Sequence, residues 1–116
     1  MSLIYSLIGL GEVIFVEHTD FSGNFALTAN KILKACKDQK YTKYPSNNYI
    51  FYILNCECIF LVMCDREYPE RIAFSFLETI RKMFTSTFSE EKIEKAKMYE
   101  MMEFGPVLKT QMHLYN

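Results

Sequence analysis

Three of the four cysteines lie in one stretch, NYIFYILNCECIFLVMCD, which runs from Asn48 to Asp65. Cys56 and Cys58 flank a single glutamate, a spacing that suggests metal binding or redox chemistry. Structural zinc needs about four ligands, however, and a cysteine nucleophile needs a histidine base close in space. His18 and His113 lie far away in the sequence. We therefore interpret the thiols as core or turn side chains and expect no catalytic residue, metal or cofactor.

The composition indicates one small domain with its own core. The chain has 116 residues, half of them hydrophobic, and a formal net charge of −1. This balance gives little attraction for nucleic acid or anionic lipid. No apolar run approaches the ~20 residues that span a bilayer, and the N-terminus lacks the basic start of a signal peptide. We therefore expect a cytosolic setting with reduced thiols.

The cysteine-rich stretch also predicts two strands that are apolar on both faces. Every residue from Tyr49 to Leu54 and from Cys58 to Cys64 is apolar. A strand with one face in water would alternate apolar and polar residues, so both faces should be covered. The short link between the runs requires an antiparallel hairpin. A second hairpin is predicted from Leu3 to Leu10 and Val13 to Glu17, which are joined by a glycine turn.

Three segments have the spacing of amphipathic helices. They run from Phe25 to Cys36, from Pro69 to Phe84 and from Glu103 to Tyr115. The charged segment from Ser89 to Lys97 is either a frayed helix or a solvated linker. Helices are the elements available to cover the apolar sheet, so we predict a three-layer sandwich with one helix on one face and two on the other.

A possible fifth strand lies at Tyr41 to Tyr44. Pro45 excludes a central strand there, so this segment should lie at a sheet edge. Its tyrosines stand in an otherwise polar connection. They either cover the core or form a groove with the first helix that accepts an extended or helical partner.

Four local motifs, in order, resemble the longin family, the N-terminal regulatory domains of long vesicle-associated R-SNAREs of the synaptobrevin-like type. They are YSLIGLGEVIFVEHTDFSGNF, NNYIFYIL, RIAFSFLETIRKMFTSTF and EFGPVLKTQMHLY. The third resembles the family pattern AFxFLxxIxxxF. The resemblance covers nearly the whole chain, so residues 1–116 are expected to form one longin domain, and it is strongest to the vesicle-associated branch.

The resemblance implies an α+β, profilin-like longin fold, with a five-stranded antiparallel sheet between one helix and two. It also implies a non-catalytic sorting and regulatory role in vesicle transport and membrane fusion. The implied partners are the protein's own SNARE motif, cognate SNAREs and sorting adaptors. The binding groove of relatives corresponds here to Ile32, Leu33, Cys36, Tyr41, Thr42 and Tyr44.

Family members continue into a heptad-patterned SNARE motif and a membrane anchor, neither of which occurs before Asn116. The chain is then either a domain cut from such a protein or a natural stand-alone domain, and we favour the first. We expect it at the cytoplasmic face of vesicle, endosomal, Golgi or plasma membranes. Contact with the membrane would require the missing anchor. The alternative is a small scaffold subunit of a vesicle coat or tethering complex with a related fold.

Overall fold

The computed structural model describes residues 2–35 and 39–116, which form a five-stranded antiparallel sheet between helices. The strands are β1 (Leu3–Leu10), β2 (Val13–Thr19), β3 (Tyr41–Ser46), β4 (Tyr49–Asn55) and β5 (Ile59–Asp65). The helices are α1 (Phe25–Ala35), α2 (Glu70–Thr87), α3 (Glu90–Lys95) and α4 (Gly105–Tyr115), the last preceded by a 3-10 turn (Met102–Phe104). The strand order β2-β1-β5-β4-β3 places β5 at the centre.

Two of the hairpins close through two-residue turns that need positive φ. Leu10 pairs with Val13 across Gly11, whose φ is 60°. Ser46 pairs with Tyr49 across Asn47, whose φ is 56°. Glycine and asparagine tolerate this left-handed conformation best, and such turns match the twist of antiparallel strands. The turns fix the register, and the register decides which side chains face each helix layer.

The first core layer lies between α1 and one face of the sheet. From α1 it receives Ala29, Ile32 and Leu33, all buried. Successive strand residues point to opposite faces, so about every second residue of the sheet joins this layer. Ile4 and Tyr5 both join it, because the pairing of β1 with β5 shifts register between Leu3 and Tyr5. Its sheet residues are Ile4, Tyr5, Leu7, Ile14, Phe51, Ile53, Ile59, Leu61 and Met63.

The second core layer lies under α2 and α4 on the opposite face. Phe84 of α2 stands at the centre of an aromatic cluster. Its ring centroid lies 4.9 Å from that of Phe88 and 5.2 Å from that of Phe104. Phe15 and Phe60 reach it from the sheet, at 6.4 and 5.9 Å. The prediction of strands covered on both faces, by one helix and two, is confirmed.

The two edges of the sheet differ. The backbone of β2 is covered by the segment before α4, where Tyr99 N–H donates to the Ile14 carbonyl at 2.7 Å and Met101 N–H to that of Phe15 at 3.2 Å. In the described part of the chain β3 pairs only with β4. An uncovered edge can pair with another chain, so β3 is the edge open to a partner.

The helix assignments need two small adjustments. The charged segment left open between a helix and a linker contains α3, whose N-cap Ser89 accepts a hydrogen bond from Lys92 N–H at 3.2 Å. The last helix begins at Gly105 instead of Glu103, because the residues before it form the 3-10 turn. Across residues 2–35 and 39–116, no helix combines the length and apolar character needed to cross a membrane.

Candidate partner-binding site

The open strand β3 presents its side chains alternately to the two helix layers. Thr42 pairs with Ile53 and Tyr44 with Phe51. Both partners on β4 belong to the core layer beneath α1. Directly paired residues share a face of the sheet. Thr42 and Tyr44 therefore lie on the α1 side, as the resemblance implies.

Tyr41 lies on the opposite face of the sheet, so its predicted placement in the groove beside α1 is wrong. Its ring centroid is 5.1 Å from that of Phe74 on α2, in an edge-to-face arrangement. Lys43, which has the same parity, forms an ion pair with Glu70 of α2 at 3.3 Å. A period of two cannot place Tyr41 on the same face as Thr42 and Tyr44.

The predicted α1 residues lie below the surface. Ile32 and Leu33 are only 4% and 7% exposed and belong to the α1-side core. They therefore pack beneath the predicted groove and offer a partner little exposed surface. Cys36, the remaining predicted residue, lies outside the described residues.

The surface depression on this side lies nearer the start of α1 than the sequence suggests. A cavity of about 240 Å³ opens where the first turns of α1 approach the β3–β4 turn. We call this cavity, together with Thr42 and Tyr44, the edge groove. The cavity is lined by Asn24, Phe25, Thr28, Ser46, Asn47, Tyr49, Phe51 and Met63.

The sequence signal for these missed residues was parity along β3 and spacing along α1. Ser46 has the parity of Thr42 and Tyr44, and Thr28 lies three residues after Phe25, on the same helix face. Gly23 also contributes, because a Cβ there would lie 2.6 Å from the Phe25 ring. Only glycine leaves that ring its place beside Tyr5, with centroids 5.9 Å apart.

No described residue that lines the edge groove carries a charge, and exposed rings stand at its rim. Tyr44 is 43% exposed and Tyr49 38% exposed. Thr42 Oγ1 is buried and has no hydrogen-bond partner among the described residues. Asparagine, serine and threonine groups alternate with aromatic ones. The described lining of this surface suits a segment that brings apolar side chains and some hydrogen-bonding groups.

The thiols are poorly suited to chemistry. Cys58 and Cys64 are buried. Burial raises the pKa of the Cys64 thiol to about 12 and also raises the pKa of the Cys58 and Cys56 thiols. Because the thiolate is the nucleophile and metal ligand, a raised pKa disfavours the reactive form of these three thiols. Their interpretation as core or turn thiols is confirmed.

The two histidines, His18 and His113, contact the same carboxylate, that of Asp20. His18 Nε2 lies 3.0 Å from Asp20 Oδ1, and His113 Nε2 contacts the other carboxylate oxygen. The hydrogen bond with His113, with a smaller contribution from His18, lowers the pKa of Asp20. In the described part of the chain no cluster of histidine, cysteine, aspartate and glutamate has metal-binding geometry. This cluster ties the β2–α1 loop to α4.

Comparison with known proteins agrees with the architecture. Residues 15–108 match the family model Longin, described as a regulated-SNARE-like domain. The chain is 32% identical to vesicle-associated membrane protein 712 of Arabidopsis thaliana, over all of this chain and 54% of that protein. It is 30% identical to human vesicle-associated membrane protein 7, over 97% of this chain and 52% of that protein.

A third relative, vesicle-associated membrane protein 7B of Dictyostelium discoideum, is 32% identical over all of this chain and 45% of its own length. The chain thus spans about half the length of these relatives. The family match, at residues 15–108, covers most of the chain and includes helices from both sides of the sheet. The chain belongs to the longin family.

Proposed function

We propose that this chain is the regulatory longin domain of an R-SNARE that acts in vesicle traffic and membrane fusion. In this role it binds protein segments and catalyses no reaction. Its partners are the SNARE motif of its own full-length protein, cognate SNAREs and sorting adaptors. The domain works at the cytoplasmic face of a vesicle or of an endosomal, Golgi or plasma membrane. The names of its relatives, which are vesicle-associated membrane proteins, support a role in vesicle traffic.

The observation that carries the proposal is the difference between the two sheet edges. The β2 edge is occupied by the chain itself, whereas no residue of 2–35 or 39–116 pairs with the outer side of β3, which borders the edge groove. Partner segments bind such places either by adding a strand or by inserting a helix into a groove. Cys58 and Cys64 are buried, and burial raises the pKa of both thiols, which disfavours the thiolate that a nucleophile needs. A binding role therefore fits the chemistry of the surface better than catalysis does.

The sharpest test replaces one tyrosine on each face of β3. We expect Tyr44→Ser to weaken binding of a synthetic R-SNARE-motif peptide about tenfold, because aromatic anchors at protein interfaces are each worth about 1–2 kcal/mol or more. Tyr41→Ser is the matched control, since it removes the same group from the neighbouring α2 side of the strand. Calorimetric titration of both variants gives the affinities.

Equal affinity for Tyr44→Ser and wild type would exclude the edge groove as the site for that peptide. Loss of affinity in Tyr41→Ser alone would move the site to the α2 side. Thermal melting of both variants checks that any loss comes from the surface and not from unfolding. We expect small changes in stability because both rings are more than two-fifths exposed.

A further inference from the structure

A second depression lies on the other side of β3 and is distinct from the edge groove. It has a volume of about 420 Å³ and is lined by Tyr41, Glu70, Arg71, Phe74, Ser75 and Glu78. Its floor is aromatic, because the rings of Tyr41 and Phe74 meet edge to face and the Tyr41 ring remains 45% exposed. All of its helical residues come from α2. We call this surface the α2 face.

Two opposite charges on the α2 face are not fully used within the chain. Arg71 has no ion-pair partner among the described residues. Glu78 Oε1 is buried and accepts no hydrogen bond from the described residues; its ion-pair contact is with Arg81 Nη1 at 3.7 Å. Arg81 directs its better-placed nitrogens to Glu57, at 2.9 and 3.1 Å. Among the described residues, the face therefore offers Arg71 as a cation without an ion-pair partner, and the carboxylate of Glu78, whose side chain remains 35% exposed although Oε1 is enclosed.

These charges are arranged symmetrically along α2. Arg71 and Glu78 stand seven residues apart, two helical turns, and so lie on the same face of the helix. The midpoint between them falls between Phe74 and Ser75. A two-fold axis through that midpoint would place Arg71 of one copy against Glu78 of a second copy, twice. Ser75, which is small and exposed, would lie next to the axis and allow the helices to approach.

We propose that the α2 face is a self-association surface, on which two copies of this chain pack α2 against α2 in antiparallel orientation. In such a pair the same patch of each copy meets its equivalent. The Tyr41 and Phe74 rings then cover each other, and the two Arg71–Glu78 ion pairs set the register. Charge complementarity favours a second copy over other occupants, because the face is complementary to itself.

Charge exchange tests this pairing. We expect wild type to form a dimer that grows with concentration up to about 1 mM in sedimentation-equilibrium experiments, as suits a small surface. Arg71→Glu and Glu78→Arg should each weaken the dimer at least about tenfold, because like charges then face each other twice. The double variant restores opposite charges at both contacts and should dimerise within about threefold of wild type.

Mixing the two single variants gives an independent readout. One variant then carries two glutamates and the other two arginines, so the mixture should form heterodimers although each variant alone stays monomeric. Lys109→Glu on α4 is the control for a reversed charge outside the α2 face and should dimerise as wild type does. Circular dichroism and thermal melting establish that each variant is folded.

The proposal is overturned if wild type stays monomeric at the highest concentration, and the face is then left to a segment of a different protein. It is also overturned if neither the double variant nor the mixture recovers the dimer. Tyr44→Ser should leave dimerisation unchanged, since Tyr44 lies on the other face of β3. Failure here is therefore distinguishable from failure of the edge groove to bind a SNARE motif.

Discussion

At the scale of single residues, burial and neighbours decide chemistry more than residue type does. The Cys56-Glu57-Cys58 step suggests reactivity, but burial raises the pKa of its thiols. His18 and His113, far apart in the chain, share the carboxylate of Asp20. The residues that suggested chemistry are therefore mostly structural, and the polar cluster that does form holds two elements together.

Removing the charge of Asp20 should make stability depend on pH in a specific way. The contacts with His113 and His18 lower its pKa below the ordinary value of 3.8. The corresponding stabilisation is present above the unfolded-state pKa and is lost as the pH falls through the folded-state pKa. We expect Asp20→Asn to be less stable than wild type at neutral pH and nearly equal to it at pH about 2–3.

Urea unfolding of both proteins at the two pH values measures this difference. The effect should stay within about 1 kcal/mol, because the Asp20 side chain is 39% exposed and surface pairs are weak. Glu94→Gln, at an exposed position of α3, is the control for a lost surface carboxylate. A gap between Asp20→Asn and wild type that persisted at acid pH would show that charge is not the cause.

At the scale of elements, α2 packs a row of buried side chains against one face of the sheet. Its buried stripe, Ala73, Phe76, Leu77, Ile80 and Phe84, follows the helical period read from the sequence. Its outer stripe carries the charges of the α2 face. One helix thus covers the sheet with one side and presents a surface with the other.

The aromatic cluster around Phe84 makes this helix sensitive to truncation. We expect Phe84→Ala to lower the free energy of unfolding by about 3–5 kcal/mol, because a fully buried ring leaves a cavity among four other rings. Leu27→Ala on α1 should cost less than about 0.5 kcal/mol, since Leu27 is 54% exposed. Denaturant unfolding compares them, and similar losses in both would contradict the observed core.

At the scale of the whole molecule, the two ends of the described chain are held together. Leu3 N–H donates to Asn116 Oδ1 at 2.7 Å, and Asn116 Nδ2 donates to the Leu3 carbonyl at 3.3 Å. The Asn116 carboxamide thus hydrogen-bonds to the backbone of β1 at Leu3, beyond the point where β2 ends its pairing with β1. Nearby, the Tyr68 hydroxyl donates to the Tyr115 carbonyl at 2.6 Å. The end of α4 is therefore fixed to the start of β1.

Removing this carboxamide should loosen the start of β1. We expect Asn116→Ala to lower the free energy of unfolding by about 1–2 kcal/mol, since each hydrogen bond contributes about 0.5–1.5 kcal/mol. Amide hydrogen exchange should be faster at Leu3 through local opening, whereas exchange at Leu61 in the central strand should rise only by the loss of global stability. Equal protection of the Leu3 amide in both proteins would mean that hydrogen bonds to water replace those to the Asn116 carboxamide with no loss of stability.

The sequence predicts the layers well and the candidate site only in part. Apolar runs without alternation indicated strands covered on both faces, and Pro45 placed β3 at an edge; both predictions are confirmed. The resemblance groups Tyr41 with Tyr44 because both fall in the segment that corresponds to the short third strand of the family. Strand parity separates them, and the cavity beside them draws on Phe25 and Met63, which come from distant segments.

The sequence by itself determined the periods of the strands and helices, their order and the number of faces that had to be covered. These follow from local backbone geometry and from the cost of exposing apolar side chains to water. Only the tertiary structure decided which edge of the sheet stays open and which distant side chains meet, such as Asp20 with both histidines. Those contacts depend on how separate elements pack, and that packing sums many weak interactions over residues far apart in the chain.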